Sequence, residues 1–281
     1  MARRPPAEPR SGSAVRAVGL HLSPMLSPHP RRPSALAEVD AAGCLVELLD
    51  LDSDDEILAG VPAESLLAID APLEVPNEDG NRGIERLIAW CDVPLFPVAG
   101  VRLDKVMGGR RGVDLALSLR SAAAVVVEAS PELILRQLIF EQQRRESAPL
   151  DLARYREIFL QTRAPAYRPK GAGRAKPAGL EPATRILARE VDLGAYAPAD
   201  GAGDLEAIAD AARLDAIACA YAAHRALEGP APSILIGAPG EGEMLLPVDA
   251  NLLERLEINL RRMRAQGELP PAMDIRPAAF A

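Results

Sequence analysis

Short unbroken apolar runs, closed off by turn-forming residues, alternate along this chain with stretches whose apolar positions recur every three or four residues. The first kind reads as strand and the second as helix. Val15 to Pro24 (VRAVGLHLSP), Ser34 to Asp40 (SALAEVD) and Cys44 to Leu51 (CLVELLDL) are strand-like, and Ala41 to Gly43 suggests a hairpin between the last two. Asp52 to Val61 (DSDDEILAGV) opens on capping residues and predicts a short helix. Then Leu66, Leu67, Ala68 and Ile69 run straight into Asp70. Four consecutive apolar residues suit a strand covered on both faces, and Pro72 cannot extend its ladder. Asp70 is therefore expected where a buried strand ends, and a charge there is costly unless something compensates it.

Residues 77 to 121 read as loop and helix, punctuated by Gly80, Gly83, Gly100, Gly108 and Gly109. AAAVVVEASPEL then repeats the logic of the Asp70 strand, with Val125, Val126 and Val127 leading into Glu128. Pro131 after Ser130 predicts a helix over PELILRQLIFEQQRR, whose N-terminus favours a nearby negative charge. A long helix follows in DLEAIADAARLDAIACAYAAHRALEG, with Asp204 as N-cap and Gly229 as terminator. On it, Asp215 is flanked at helical spacing by Ala211, Ala212, Ala218 and Cys219, a face suited to close packing. Asp210, beside Glu206 and Arg213, reads as a surface acid. After SILIGAP, a last short apolar run, NLLERLEINLRRMRAQG carries Leu252, Leu253, Leu256, Leu260 and Met263 as one apolar stripe.

With 281 residues and 48% hydrophobic content, one large domain is expected. Residues 1–13 read as a disordered tail rather than a signal peptide, 14–249 as the domain, and 250–281 as a C-terminal helix with a Pro-rich tail. Cys44, Cys91 and Cys219 form no C-x-x-C pair, which argues against a zinc knuckle or disulfide framework and fits buried thiols in a reducing cytoplasm. No window is apolar enough to span a membrane. The net charge of -8 argues against general coating by nucleic acid. Residues 144–176 are the local exception, with a net charge of +6 against -14 for the remainder. Tyr155, Phe159 and Tyr167 are interleaved with these bases. They fit either stacking on nucleic-acid bases or anchoring of a solvated helix and loop to the core.

Hairpin, two acid-terminated strands and a late acidic helix, in that order, resemble the ribonuclease H-like fold. On AIDAPLEVPNEDGNRGIER, VVVEASPEL, KPAGLEPATR and RLDAIACAYAAHRALEG, taken in sequence, the chain is similar to domain of unknown function family 429, a predicted nuclease family of that fold. The likeness runs from about Val15 to Val248. It implies an α/β architecture with a mixed five-stranded sheet and helices on both faces. It implies that Asp70, Glu128 and Asp215 are catalytic and metal-binding, that Arg82, Lys176 and Arg185 bind substrate, and that Mg²⁺ or Mn²⁺ supports phosphodiester hydrolysis of a nucleic acid. Two carboxylates ~4 Å apart repel by roughly 4 kcal/mol at an effective dielectric near 20, a repulsion that a divalent cation relieves.

One position departs from the family pattern: His21 stands where the first strand normally presents an Asp. Imidazole ligates Mn²⁺, Fe²⁺ or Zn²⁺ but is a poor ligand for Mg²⁺. Two readings follow, a metal-dependent nuclease with a degenerate first acidic position and an inactive nucleic-acid- or protein-binding module. A phosphotransferase of the sugar-kinase and actin type would need a Gly-rich hairpin where LSPMLSPHPRRP offers prolines. Each acid also has a structural use: Asp70 capping a turn, Glu128 facing a helix N-terminus, Asp215 paired with Lys176, Arg185 or Arg213.

Overall fold

The computed structural model describes residues 15–24, 33–91, 93, 95–144, 150–168, 177–199, 203–228 and 232–280. Each apolar run becomes a strand: β1 (Arg16–His21), β2 (Ser34–Val39) and β3 (Leu45–Leu51) open the chain. Gly43 turns the β2–β3 hairpin at φ 79°, a conformation open to glycine and costly for residues with a Cβ. Ser53 caps α1 (Asp54–Gly60), which leads into β4 (Ser65–Ile69). Helices α2 (Gly83–Ala89), α3 (Gly100–Val106) and α4 (Arg111–Ala122) fill the stretch before β5 (Val125–Glu128). Then come α5 (Pro131–Arg144), α6 (Leu152–Gln161), α7 (Leu180–Leu187) and the long α8 (Asp204–Glu228). The chain closes with β6 (Ser233–Ala238), β7 (Gly242–Pro247), α9 (Ala250–Ala265) and β8 (Asp274–Pro277).

These strands form one mixed sheet in the order β3-β2-β1-β4-β5-β7-β6-β8. β1, β2 and β3 are an antiparallel meander, β4 runs parallel to β1, and β5 runs parallel to β4. Among the described residues the sheet has eight strands, where five were expected. The difference lies in the C-terminal third. GEMLLP folds back antiparallel on SILIGA through a glycine turn, and β7 docks parallel to β5 at Glu128 and Met244. DIRP, inside the Pro-rich stretch, pairs with β6 as an edge strand, where a proline costs no interior ladder bond. Residues 250–280 are thus integrated in the same sheet and core. The apolar stripe of α9 packs with α2, α6 and the β6–β7 hairpin through Leu252, Leu256, Leu260 and Met263.

Pleat alternation decides what each strand end offers. On β1 and β4, Val18, Leu20, Leu67 and Ile69 join the core beneath α1 and α4. Ala17, Leu66 and Ala68 join the opposite core, beneath α5, α7 and α8. Gly19 lies on that second face and allows α8 to touch β1: a Cβ there would sit 2.0 Å from the Ala216 carbonyl oxygen and 2.2 Å from the Ala220 amide nitrogen. The alanine-rich face of α8 and the missing side chain at Gly19 together lower the helix onto the sheet. This contact sets the height of Asp215 above the strand ends.

Candidate functional site

Two residues beyond Gly19 on the same face of β1 stands His21. Two beyond Ala68 on the same face comes Asp70, immediately after β4, with its amide donating to the Leu20 carbonyl at 2.9 Å. Asp215 reaches the same point from above, on α8. His21 Nδ1 lies 3.1 Å from Asp70 Oδ2 and 3.4 Å from Asp215 Oδ2. One ligand atom from each of the three residues falls within 4.8 Å of the others. An imidazole nitrogen with two carboxylate oxygens, delivered by three different elements, is a donor set that fits a single transition-metal ion better than Mg²⁺.

A guanidinium completes the cluster. Arg168 places Nε 2.9 Å from Asp215 Oδ2 and Nη2 3.2 Å from Asp70 Oδ2, so one cation spans both acids. Tyr167, buried, donates its hydroxyl to Asp215 Oδ1 at 2.5 Å. Burial pushes the Asp215 carboxyl above its ordinary range, with Arg168 pulling it back down and the Asp70 charge raising it again. Burial works against the charge of Arg168, but Asp215 and then Asp70 hold its pKa well above the usual value. Burial, followed by the Asp215 charge, raises the Tyr167 phenol, which stays a proton donor.

Glu128, expected to join Asp70 and Asp215 around one cation, sits elsewhere. Register pairs it with Ile69 rather than with Asp70, so the pleat turns its side chain away from the α8 face. It receives both Nη1 and Nη2 of Arg82, at 2.8 and 2.7 Å, and the Leu73 amide at 2.8 Å. Arg82 also binds Glu85 through Nη2 at 2.7 Å and donates to the carbonyls of Glu74 and Glu241. All three charged side chains are at most 2% exposed. Burial drives the Glu128 carboxyl upward against the Arg82 charge, while Arg82, though opposed by burial, is held firmly protonated by Glu128 and Glu85. Arg82, expected to bind substrate, is occupied in this buried network.

Arg185 lies on α7 with its side chain largely exposed and paired with Glu181 on the same helix, away from His21. Lys176 falls outside the described residues, as do 145–149 and the rest of 169–176 in the basic segment. Within that segment Tyr155 and Phe159 are fully buried, stacked on each other at 5.3 Å between ring centroids and edge-on to Phe140. They serve the core. Asp210, read as a surface acid, is 1% exposed and accepts from Arg213 Nη1 at 2.9 Å and the Ala199 amide at 3.1 Å. The partner of Asp215 is Arg168, while Arg213 goes to Asp50, Glu206 and Asp210. Tyr167 and Arg168 are the site residues that sequence reasoning passed over. Pro165 and Pro169 bracket them and favour an extended chain, but spacing alone gave no sign that this bend meets α8.

The cluster forms part of the floor of a cavity of about 660 Å³. Asp70, Asp215 and Arg168 line it together with apolar side chains from the loop before α3, from α3 itself and from α8. Comparison of the chain with protein-family models, with curated proteins and with solved structures finds no match.

Proposed function

We propose that the chain is a metal-dependent phosphodiester hydrolase of ribonuclease H-like fold, with one transition-metal ion held by His21, Asp70 and Asp215. The observation that carries this reading is the convergence of the three ligand atoms within 4.8 Å at the floor of a cavity. The strand order β3-β2-β1-β4-β5, with β4 and β5 parallel to β1, supports the fold assignment, and β7-β6-β8 extends that sheet.

When bound, the ion supplies Lewis acidity toward a phosphoryl oxygen. Asp70 and Asp215 hold it with charge, and His21 supplies nitrogen where a bridging carboxylate would serve a second ion. A one-ion site is the result. Tyr167 fixes Asp215 by its hydrogen bond, which keeps Oδ2 aimed at His21. Arg168, with about a third of its side chain exposed beside both acids, would be placed to take a phosphate oxygen. The finer nuclease reading adds contact between a nucleic acid and the basic 144–176 segment. The buried Tyr155 and Phe159 take two stacking rings out of that contact.

A second reading has its own observation. Arg168 already pairs with both acids, so the same fold could persist as a non-catalytic binding module. Calorimetric titration with Mn²⁺, with cleavage assays on mixed DNA and RNA and on bis(p-nitrophenyl) phosphate, separates the two. The hydrolase reading expects Mn²⁺ binding, cleavage with Mn²⁺ and little with Mg²⁺, and at least tenfold weaker Mn²⁺ binding in Asp70→Asn, about 1.4 kcal/mol. Absence of Mn²⁺ binding, or equal binding by Asp70→Asn, would reject the site. Mn²⁺ binding without any cleavage would leave the binding module.

A further inference from the structure

We infer that the cavity above His21, Asp70 and Asp215 takes a small phosphate ester with an apolar body, rather than a polynucleotide. The inference rests on the metal-site reading above and names the substrate class of that site.

Size is the first argument. A volume of about 660 Å³ lies in the range of small-molecule sites, roughly 300–1,000 Å³. Such sites combine apolar walls with a few convergent polar groups. Here the polar groups gather on the floor, where His21, Asp70, Asp215 and Arg168 meet. One stretch of the wall is apolar: Val98 precedes α3, Leu103 and Met107 come from α3 and its C-cap, and Leu22, Pro72 and Pro165 adjoin them, while Ser23, Ser130 and Glu132 add polar groups elsewhere. That wall is built in. Asn77 Nδ2 ties the Val98 carbonyl (3.1 Å) to the turn carbonyls of Asp79 (3.0 Å) and Gly80 (3.2 Å), which holds the loop against α3.

Charge is the second argument. A groove that follows a nucleic-acid backbone needs cations facing outward along its length. The other arginines lining this cavity are already engaged by acids. Arg110 binds Glu78 at 2.9 Å and Asp104 at 3.2 Å, Arg111 binds Asp54 at 2.5 Å, and Arg82 lies in its buried network. Arg168 is left as the lining cation that meets the floor from a partly exposed position. One guanidinium beside one metal site matches one phosphate group. Among the described residues no cation row continues from it toward a second.

The occupant that satisfies both arguments carries a single phosphate at the floor and an apolar group against Val98, Leu103, Met107 and the neighbouring Phe96. Phe96 is 40% exposed at the cavity margin, so replacing it spares the core.

The test uses the full-length protein and two non-hydrolysable probes, phenylphosphonate and methylphosphonate, which share a head and differ in the apolar body. Binding is read by calorimetry with and without Mn²⁺. Phenylphosphonate is expected to bind at least tenfold more tightly than methylphosphonate. Phe96→Asp is expected to remove most of that ratio while leaving Mn²⁺ affinity unchanged, and Met107→Ala to reduce it by a smaller factor. A mixed-sequence single-stranded oligonucleotide is expected neither to bind nor to displace phenylphosphonate. Equal affinity for the two probes, an unchanged ratio in both variants, or oligonucleotide binding with a steep salt dependence would overturn the inference. Failure of the metal site would show separately, as absence of Mn²⁺ binding before any phosphonate is added.

Discussion

Two clusters of acid and arginine stand at the ends of adjacent buried strands, and they behave in opposite ways. At β5, Glu128 meets Arg82 and Glu85, all of them sealed from water, and Arg82 fills its remaining donors with the Glu74 and Glu241 carbonyls. At β1 and β4, His21 and Asp70 are each about a fifth exposed, Arg168 is 36% exposed, and only Asp215 is buried outright. The first cluster is closed and satisfied. The second holds two acids around a partly exposed cation. The same residue types thus make a structural clamp in one place and a candidate ligand site in the other. What separates them is exposure and the pleat: one residue of register puts Glu128 on the face away from α8, while Asp70 faces it.

The difference should be largest in stability. Arg82→Met leaves Glu85 and Glu128 buried together without their cation, and breaking such a pair costs about 3–5 kcal/mol. Urea unfolding is expected to show a loss of that size. A loss below about 1 kcal/mol would mean that water reaches Glu128 and that the cluster is not closed. Where Arg82→Met remains folded, its Mn²⁺ affinity should match that of the unaltered protein, because Arg82 touches none of the three ligands.

Next comes the contact that places the open cluster. Gly19→Ala puts a methyl group 2.0 Å from a helix backbone atom, so α8 must move and carry Asp215 with it. Overpacking of this kind costs typically 1–3 kcal/mol. The expected signature is that stability and Mn²⁺ affinity fall together, in contrast to Arg82→Met. Unaltered Mn²⁺ binding in a destabilised Gly19→Ala would separate the site from the seating of α8.

How far each cluster could be read from sequence follows from the same geometry. Asp70 and Glu128 were visible as acids ending apolar runs, and Asp215 as an acid on a small-residue helix face, because those signals are local. The separation of Glu128 from the other two was not visible, since it depends on pairing Ile69 with Glu128 across two strands. His21 was legible only as a departure from a family pattern. Arg168 was one base among nine in a charged segment, and nothing in its neighbours told it apart from Arg163 or Arg154. The opening meander and the strands ending at Asp70 and Glu128 were legible from apolar runs, whereas β7 and β8 were lost among glycines and prolines. Asp210 misled for a related reason: Arg213 and Glu206 on the same helix suggested solvent, but the 196–199 segment covers that turn.

Changing the ligand type in the open cluster should alter metal choice by about one order of magnitude. His21→Asp replaces imidazole nitrogen with carboxylate oxygen and adds a third acid beside Asp70 and Asp215. Mg²⁺ prefers hard oxygens, so its affinity is expected to rise about tenfold, or ~1.4 kcal/mol, with a smaller gain for Mn²⁺. Calorimetry with each ion checks this ratio. An unchanged Mg²⁺ to Mn²⁺ ratio would show that His21 does not face the ion.

The smallest effect belongs to Arg168, and its sign is the most informative. Its pair with Asp70 is partly exposed and screened by solvent, and Asp215, though buried, keeps its hydrogen bond from Tyr167, so removal should cost less stability than the loss of Arg82. For metal binding the expected change is a gain. The guanidinium sits on Asp70 Oδ2 and Asp215 Oδ2, the oxygens nearest His21, and an arriving cation must displace it. Arg168→Gln keeps a hydrogen-bonding side chain but removes the charge, leaving two carboxylates whose repulsion only a cation or a proton relieves. Mn²⁺ affinity is therefore expected to rise about two- to fivefold, roughly 0.4–1 kcal/mol, while phosphonate affinity falls. Arg168→Lys, which preserves charge without the fork that reaches both acids, should lie between the two proteins. If Mn²⁺ binding weakened in Arg168→Gln, the guanidinium would be a support for the ligand geometry rather than a competitor for its charge. The open cluster would then resemble the closed one more than its exposure suggests.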